Sequence, residues 1–298
     1  MQGARSTPAR HRGAFFIFGC LAASAAWCAG PRGHSTPPLL QVGKANPAEA
    51  QAAIEQVRRQ GIAGNYFLEF NLRVMPRRGK ERNIPGRLWG SRNEQGALSR
   101  VALTLTPEGP SSVERRLLIQ SGRESTVWRW ETDGNVEQLG PASPFEPVVP
   151  STELTAFDLQ MPFVYWENFD YEGLTRFKGR PAHILIMRPP APFNAKYPEI
   201  TGVRVYLDTQ FNALVQTELL GARNAILKTF SLVDLKRIGE QWIPKTFDVR
   251  DDRTRNKTRF EVTAAGLNLD FSQTLFEPAQ LAEDVRSPAE SQLTRIAP

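Results

Sequence analysis

Residues 46–61, NPAEAQAAIEQVRRQG, place Ala50, Ala53, Ile54 and Val57 on one apolar stripe, the spacing of an amphipathic helix. Asn46 suits its cap, Pro47 its first position, and Arg58 and Arg59 its last turn. Gly61 suits its end. Beyond it the period falls to two. Tyr66, Leu68, Phe70, Leu72 and Val74 alternate with Phe67, Glu69, Asn71 and Arg73, the pattern of a strand with one buried face. Ten further stretches read the same way, from GRLWGSR and SRVALTLTP through AHILIMRP and GVRVYLDT to QWIPKTFDVRDD and NKTRFEVTAAGL. Gly, Asn, Asp and Pro fill the short gaps between them, so about ten to eleven strands are expected by their turn signals. Short turns favour antiparallel pairing, since parallel strands need long crossovers.

Many strands and few helices predict a mainly β fold: a sandwich, barrel or strongly curved sheet. Two helical segments are left to cover it, residues 47–60 and part of 151–166, where Ser151 or Thr152 could cap a short helix. The stretch LTAFDLQMPFVYWENFDYEG, residues 154–173, holds six aromatic side chains and four carboxylates, with Glu153 just before it. Its Phe157, Phe163, Tyr165 and Trp166 suit a covering segment, and Phe169 and Tyr171 the start of a strand. Pro244 lies inside a strand pattern, which places it on an edge or at a bulge. The tail from residue 283, polar and without a period, is expected to be disordered.

The first residues differ in kind. MQGARSTPARHR carries three Arg and no acid, and GAFFIFGCLAASAAWCAG is apolar and then small, the pattern of a secretory signal. Residues 1–29 are therefore expected to be a signal peptide, with Ser24-Ala25-Ala26 offering a cleavage site, and residues 30–45 a linker rich in Pro and Gly. The apolar run from Gly13 to Ala26 falls short of the ~20 residues of a spanning helix. A lipobox around Cys20 is a lesser reading, because Phe18 fits it poorly. Loss of residues 1–26 lowers the formal charge from +6 to about +3, too mild to argue for nucleic acid. Only Cys20 and Cys28 are present, so cleavage leaves at most one cysteine and no intrachain disulfide.

Candidate chemistry is sparse. The three histidines are His11 in the signal, His34 in the linker and His183 within a strand pattern, which leaves a His-based metal site or catalytic triad little to work with. No nucleophile elbow, P-loop, zincin or dinucleotide motif occurs in a fitting context. Glu153, Asp158, Glu167, Asp170 and Glu172 could in principle supply a catalytic pair, against the plainer reading of solvated loop acids. Two basic clusters sit at predicted hairpin tips: Arg77, Arg78, Lys80, Arg82 and Arg87, then Arg250, Arg253, Arg255, Lys257 and Arg259. Interspersed acids suit solvated tips; the functional alternative is contact with anionic headgroups or an acidic partner.

The C-terminal half carries a longer pattern. FDLQMPFVYWENFDYEG is followed by GVRVYLDTQFNALVQTELLGARNAILKTFSL, IGEQWIPKTFDVRDDRTRNKTRFEV and FSQTLFEPAQL. In this order the stretches resemble the outer-membrane lipoprotein-sorting protein family, the LolA-like group that includes TP-0789-type domains. The resemblance implies one domain over residues 46–282: an incomplete, open antiparallel β-barrel, LolA/LolB-like, with helices over its concave face. It implies an apolar cavity that accepts acyl chains of a lipid or acylated protein, in a periplasmic monomer without catalytic residues, metal or cofactor. Tyr66, Phe70, Leu154, Phe157, Phe163, Trp166, Phe247 and Phe260 are the candidate cavity and lid residues. A membrane transport or envelope partner fits the group. A carrier or chaperone is thus the leading expectation, ahead of an envelope sensor or scaffold bound to a membrane protein, and of a lipid hydrolase using the acids of residues 153–172.

Overall fold

The computed structural model describes residues 46–106, 112–132, 134–140, 144–211 and 213–297. The expected signal peptide and linker lie outside the described residues. The first helix, α1 (Pro47–Arg59), starts where its sequence signals place it: the Asn46 side chain accepts from the Ala48 N–H at 3.0 Å. Strands β1 (Asn65–Met75), β2 (Arg82–Arg92), β3 (Ala97–Leu105), β4 (Val113–Gln120), β5 (Thr126–Glu131) and β6 (Glu137–Gln138) follow. Then come the short helix α2 (Ala156–Gln160) and a 3₁₀ turn at Pro162–Tyr165. The second run holds β7 (Phe169–Phe177), β8 (Arg180–Met187), α3 (Ala191–Lys196), β9 (Gly202–Asp208), β10 (Ala213–Leu220), β11 (Ile226–Ile238), β12 (Gln241–Asp251) and β13 (Lys257–Leu269). A two-residue strand, β14 (Thr294–Arg295), ends the series.

All fourteen strands of the described residues form one sheet in the order β6-β5-β4-β3-β2-β1-β13-β12-β11-β10-β9-β8-β7, with β14 added against β13. Every pairing is antiparallel. The terminal strands β6 and β7 are not paired with each other, so the sheet is open rather than a closed barrel. The chain leaves the sheet at one edge after β6 and rejoins it at the opposite edge in β7. Residues 144–168 make that crossing, and they make it over one face. Walls as distant in the sheet order as β4 and β10, seven strand spacings or about 34 Å apart if flat, line a single cavity with α2. The sheet must therefore curl around the crossing segment.

Both faces of the sheet are apolar, which the alternation in β1 already hints at. Leu68, Phe70, Leu72 and Val74 point inward with Leu154 and Val149 of the crossing segment. Phe67 points outward and packs with Trp89, Leu118, Phe276 and Leu281. Residues 271–285 thus seal the outer face. The sealing segment has few regular backbone partners, and buried carbonyls need donors. Arg100, only 1% exposed, supplies them. Its Nη1 donates to the carbonyls of Leu275 (3.2 Å) and Gln280 (2.8 Å), and its Nη2 to those of Leu281 (3.2 Å) and Glu283. Arg116 donates to the Ala282 carbonyl and lies 4.5 Å from the Trp130 ring centroid. Burial, with the Arg116 charge nearby, pulls the Arg100 guanidinium down to about 10.

Two sequence expectations change and a third is met. The tail is ordered, because β14 pairs with β13 at Ala264–Arg295 and Ala265–Thr294, and Ile296 is buried. Its N–H also donates to the Thr263 carbonyl at 2.9 Å, so the folded unit runs past residue 282. The cap of α2 is Thr155, not Ser151 or Thr152: its hydroxyl accepts from the Asp158 N–H and the Asp158 carboxylate accepts from its own N–H. Pro244 sits in an interior strand beside a shift in the β11–β12 register, the bulge that its place in a strand pattern allows.

Replacing Arg100 by Leu removes four hydrogen bonds to the carbonyls of the sealing segment, the one to Leu281 fully buried. Stability in urea is expected to fall by about 3 kcal/mol or more, and amide exchange in residues 271–285 to quicken. Unchanged protection there would contradict the sealing role.

Candidate functional site

The inner face is not filled by its own side chains. Between the sheet, the end of α1 and the crossing segment lies a cavity of about 630 Å³. That is the size of a small-molecule pocket and room for roughly twenty waters at about 30 Å³ each. Its floor is an aromatic ladder running across four neighbouring strands. Phe70 of β1 stacks on Phe260 of β13 at 4.4 Å, Phe260 on Phe247 of β12 at 4.5 Å, and Phe247 on Phe230 of β11 at 4.9 Å. Cross-strand aromatic pairs of this kind hold a sheet's register and present flat apolar surface.

The cavity stays open partly because two glycines let aromatic rings lie flat. Gly90 is the β2 partner of Tyr66, and Gly86 the partner of Phe70. A Cβ on Gly90 would sit 2.0 Å from the Tyr66 ring, and one on Gly86 2.3 Å from the Phe70 ring. With any larger residue there, the rings would have to swing up into the space they now border. The Tyr66 hydroxyl, pushed up by burial, keeps a hydrogen bond to Ser99.

Of the candidate residues, Tyr66, Phe70, Leu154, Phe247 and Phe260 lie on the cavity wall. Phe157, Phe163 and Trp166 do not. They turn the other way, into a second core with Ala50 and Ile54 of α1, Leu185 of β8 and Val205 of β9. Phe157 and Phe163 border only a crevice of about 10 Å³, no more than one water. The crossing segment is amphipathic on two sides: Leu154, Leu159 and Met161 reach the cavity, and the aromatics anchor the segment to α1. Arg58 completes that anchor, donating to the carbonyls of Val164 (2.7 Å) and Trp166 (3.1 Å).

Phe211 and Trp242 line the cavity yet are 38% and 54% exposed, with ring centroids 6.2 Å apart. They mark its mouth. The Arg180 guanidinium lies 5.0 Å from the Phe211 ring. Sequence reading missed both rings and Phe230. Phe211 falls between two strand patterns and reads as a loop residue; Trp242 in QWIPKTFDVRDD and Phe230 in AILKTFSLVDLK lie within strand patterns, where nothing sets them apart from their neighbours.

Asp158 is the one charged residue on the wall formed by the described residues, and Lys228 Nζ neutralises it at 2.5 Å. The other acids of residues 153–172 are dispersed. Asp170 pairs with Arg188, Glu172 with Arg204, and exposed Glu167 with Arg123. Glu153 bonds Asn256; burial, with Asp251 and Asp158 nearby, pushes its carboxyl up, and Asn256 and Lys228 partly offset this. No two of these carboxylates converge on the cavity. His183 is a buried strand residue whose Nδ1 lies 2.8 Å from the Tyr171 hydroxyl, and burial pulls it down. Among the described residues there is no cluster of His, Cys, Asp and Glu fit for a metal, and no helix long and apolar enough to cross a membrane.

A curled open antiparallel sheet with a helical cover and an apolar interior has known counterparts. The structure superposes on a domain from Vibrio parahaemolyticus named for outer membrane lipoprotein sorting, with a TM-score of 0.67 and 16% identity over 78% of this chain and 99% of that one. The fold is LolA-like. A LolA superfamily protein from Nitrosomonas europaea superposes with a TM-score of 0.57 at 12% identity, over 76% of this chain and 97% of that one. A DUF1329 family protein from Desulfovibrio piger gives 0.63 at 15%, over 79% and 98%. Residues 150–283 match the model of a family described as an uncharacterized protein. No curated protein matches the sequence. At these identities the likeness establishes the LolA-like fold, in agreement with the resemblance read in the sequence.

The raised Glu153 carboxyl gives a pH test. A carboxyl with a folded-state pKa above its unfolded value favours the fold below the unfolded pKa, and that contribution is lost as pH rises through the folded value. Glu153→Gln should therefore raise Tm at neutral pH, and the advantage should fade as pH falls to about 4. An advantage that persists at low pH would contradict the assignment.

Proposed function

We propose that this protein is a periplasmic carrier or chaperone that holds acyl chains of lipids or lipoproteins in the cavity. The observation that carries the reading is the unfilled apolar space of about 630 Å³ over the Phe70–Phe260–Phe247–Phe230 ladder. An acyl chain gains about 0.8 kcal/mol for each methylene it buries and needs no precise polar partner, so a smooth aromatic floor is sufficient recognition. The guest enters between Phe211 and Trp242. The paired Asp158 and Lys228 leave no net charge on the wall to repel a hydrocarbon. The periplasmic part rests on the signal pattern of residues 1–29 and the likeness to a lipoprotein-sorting domain. A carrier also accommodates the way the acids near residues 153–172 are taken up separately by cations and caps.

The test is mass spectrometry of the organic extract of purified protein, paired with titration of delipidated protein by a fluorescent fatty acid. Co-purifying lipid, or saturable binding, is expected. Leu103→Trp, a wall position, should fill space that about four methylenes would occupy and weaken binding by roughly a hundredfold or more. Absence of extractable lipid together with no binding of phospholipid or acylated peptide would sink the proposal.

A further inference from the structure

The basic clusters of the sequence are sorted by the structure into two kinds. Arg87 belongs to neither tip: it is half-buried beside Glu114 and Asp284 at the outer face. Lys257 and Arg259 are taken by Asp248, and Arg250 and Arg255 by Asp252. Arg77, Arg78, Lys80, Arg82 and Arg253 are exposed and have no ion pair among the described residues. They come from two different turns, β1–β2 and β12–β13. Because β1 and β13 are sheet neighbours, those turns meet, and the Arg77 N–H donates to the Asn256 side chain at 3.0 Å. The acids between the cations are already used. Glu81 pairs with Arg73, and Asp251 accepts from the N–H groups of Arg253 and Thr254 to build its turn.

We propose that these joined tips are a docking surface for an anionic lipid bilayer. Charge complementarity supplies the attraction, since each cation near such a surface contributes independently. The composition of the tips selects the partner. PRRGKER (76–82) and DRTRN (252–256) contain no aromatic or large aliphatic side chain. A protein partner would need a desolvated anchor of that type; a layer of phosphate headgroups needs only mobile cations. The inference is independent of what fills the cavity. Its consequence for that site is positional: Trp242 at the mouth and Asp252 at the tip lie at opposite ends of β12, about 30 Å apart along the strand. Docking through the tips leaves the mouth free.

The test is sedimentation of full-length protein with vesicles of phosphatidylcholine alone or mixed with phosphatidylglycerol. Two triple variants lose the same charge: Arg77→Ala/Arg78→Ala/Arg253→Ala at the tips, and Arg59→Ala/Arg123→Ala/Lys196→Ala elsewhere. Both keep residues 1–45, so any contribution of that segment cancels. Wild-type protein should bind the anionic vesicles, and binding should fall steeply as added salt shortens the screening length. The tip variant should bind about a hundredfold more weakly, with wild-type melting and unchanged fatty-acid binding. The second variant should lose far less. Equal losses in the two variants, equal binding to neutral vesicles, or binding of an acidic peptide but not of vesicles would overturn the proposal.

Discussion

The chain leaves its sheet at one edge and returns at the other, and that single crossing constrains everything else. A flat sheet of this width would force residues 144–168 to span a distance their short helices and turns could not cover. Curling brings the edges toward each other and puts the crossing segment inside the curve. The segment is then fastened on both flanks: Arg58 of α1 holds its carbonyls, and Lys228 of β11 holds Asp158 and the α2 cap. A strap held at its sides and made of two short helices cannot fill the volume beneath it. The cavity follows from topology before any question of ligand arises.

The other face needed a different solution. A sheet with two apolar faces must be covered twice, and no helix is left for the outer one. The C-terminal segment does it, with Phe276 and Leu281 as apolar plugs and Arg100 and Arg116 as donors to carbonyls that lack strand partners. A buried guanidinium is costly unless its donors are used, and here the acceptors are mostly neutral backbone. The two coverings differ in kind: one is bonded directly to the sheet, the other spans a gap.

The sequence made the sheet legible because period-two alternation and turn residues are local signals, and because α1 carries both its cap and its dipole-matched ends. The ladder residues Phe70, Phe247 and Phe260 were also legible, as inward positions of strands. Less visible was the division of the crossing segment. Leu154 and Phe157 lie three residues apart, and spacing alone does not say which reaches a cavity and which reaches α1. Arg100 was hidden for a similar reason: an Arg in a strand pattern reads as solvent-facing, and its acceptors lie 175 to 183 residues away. The ordered tail escaped because two residues of strand give no period, and their order comes from β13 rather than from themselves.

An acyl guest seated on the ladder makes contacts that a guest held elsewhere would not. A fatty acid bearing a photoreactive diazirine on its chain, cross-linked to the protein and mapped by peptide sequencing, reads those contacts directly. Labels on β1, β11, β12 and β13 near Phe70, Phe230, Phe247 and Phe260 are expected. Labels confined to the α1 side, near Phe163 and Trp166, or spread over the outer surface, would contradict an open cavity between sheet and strap.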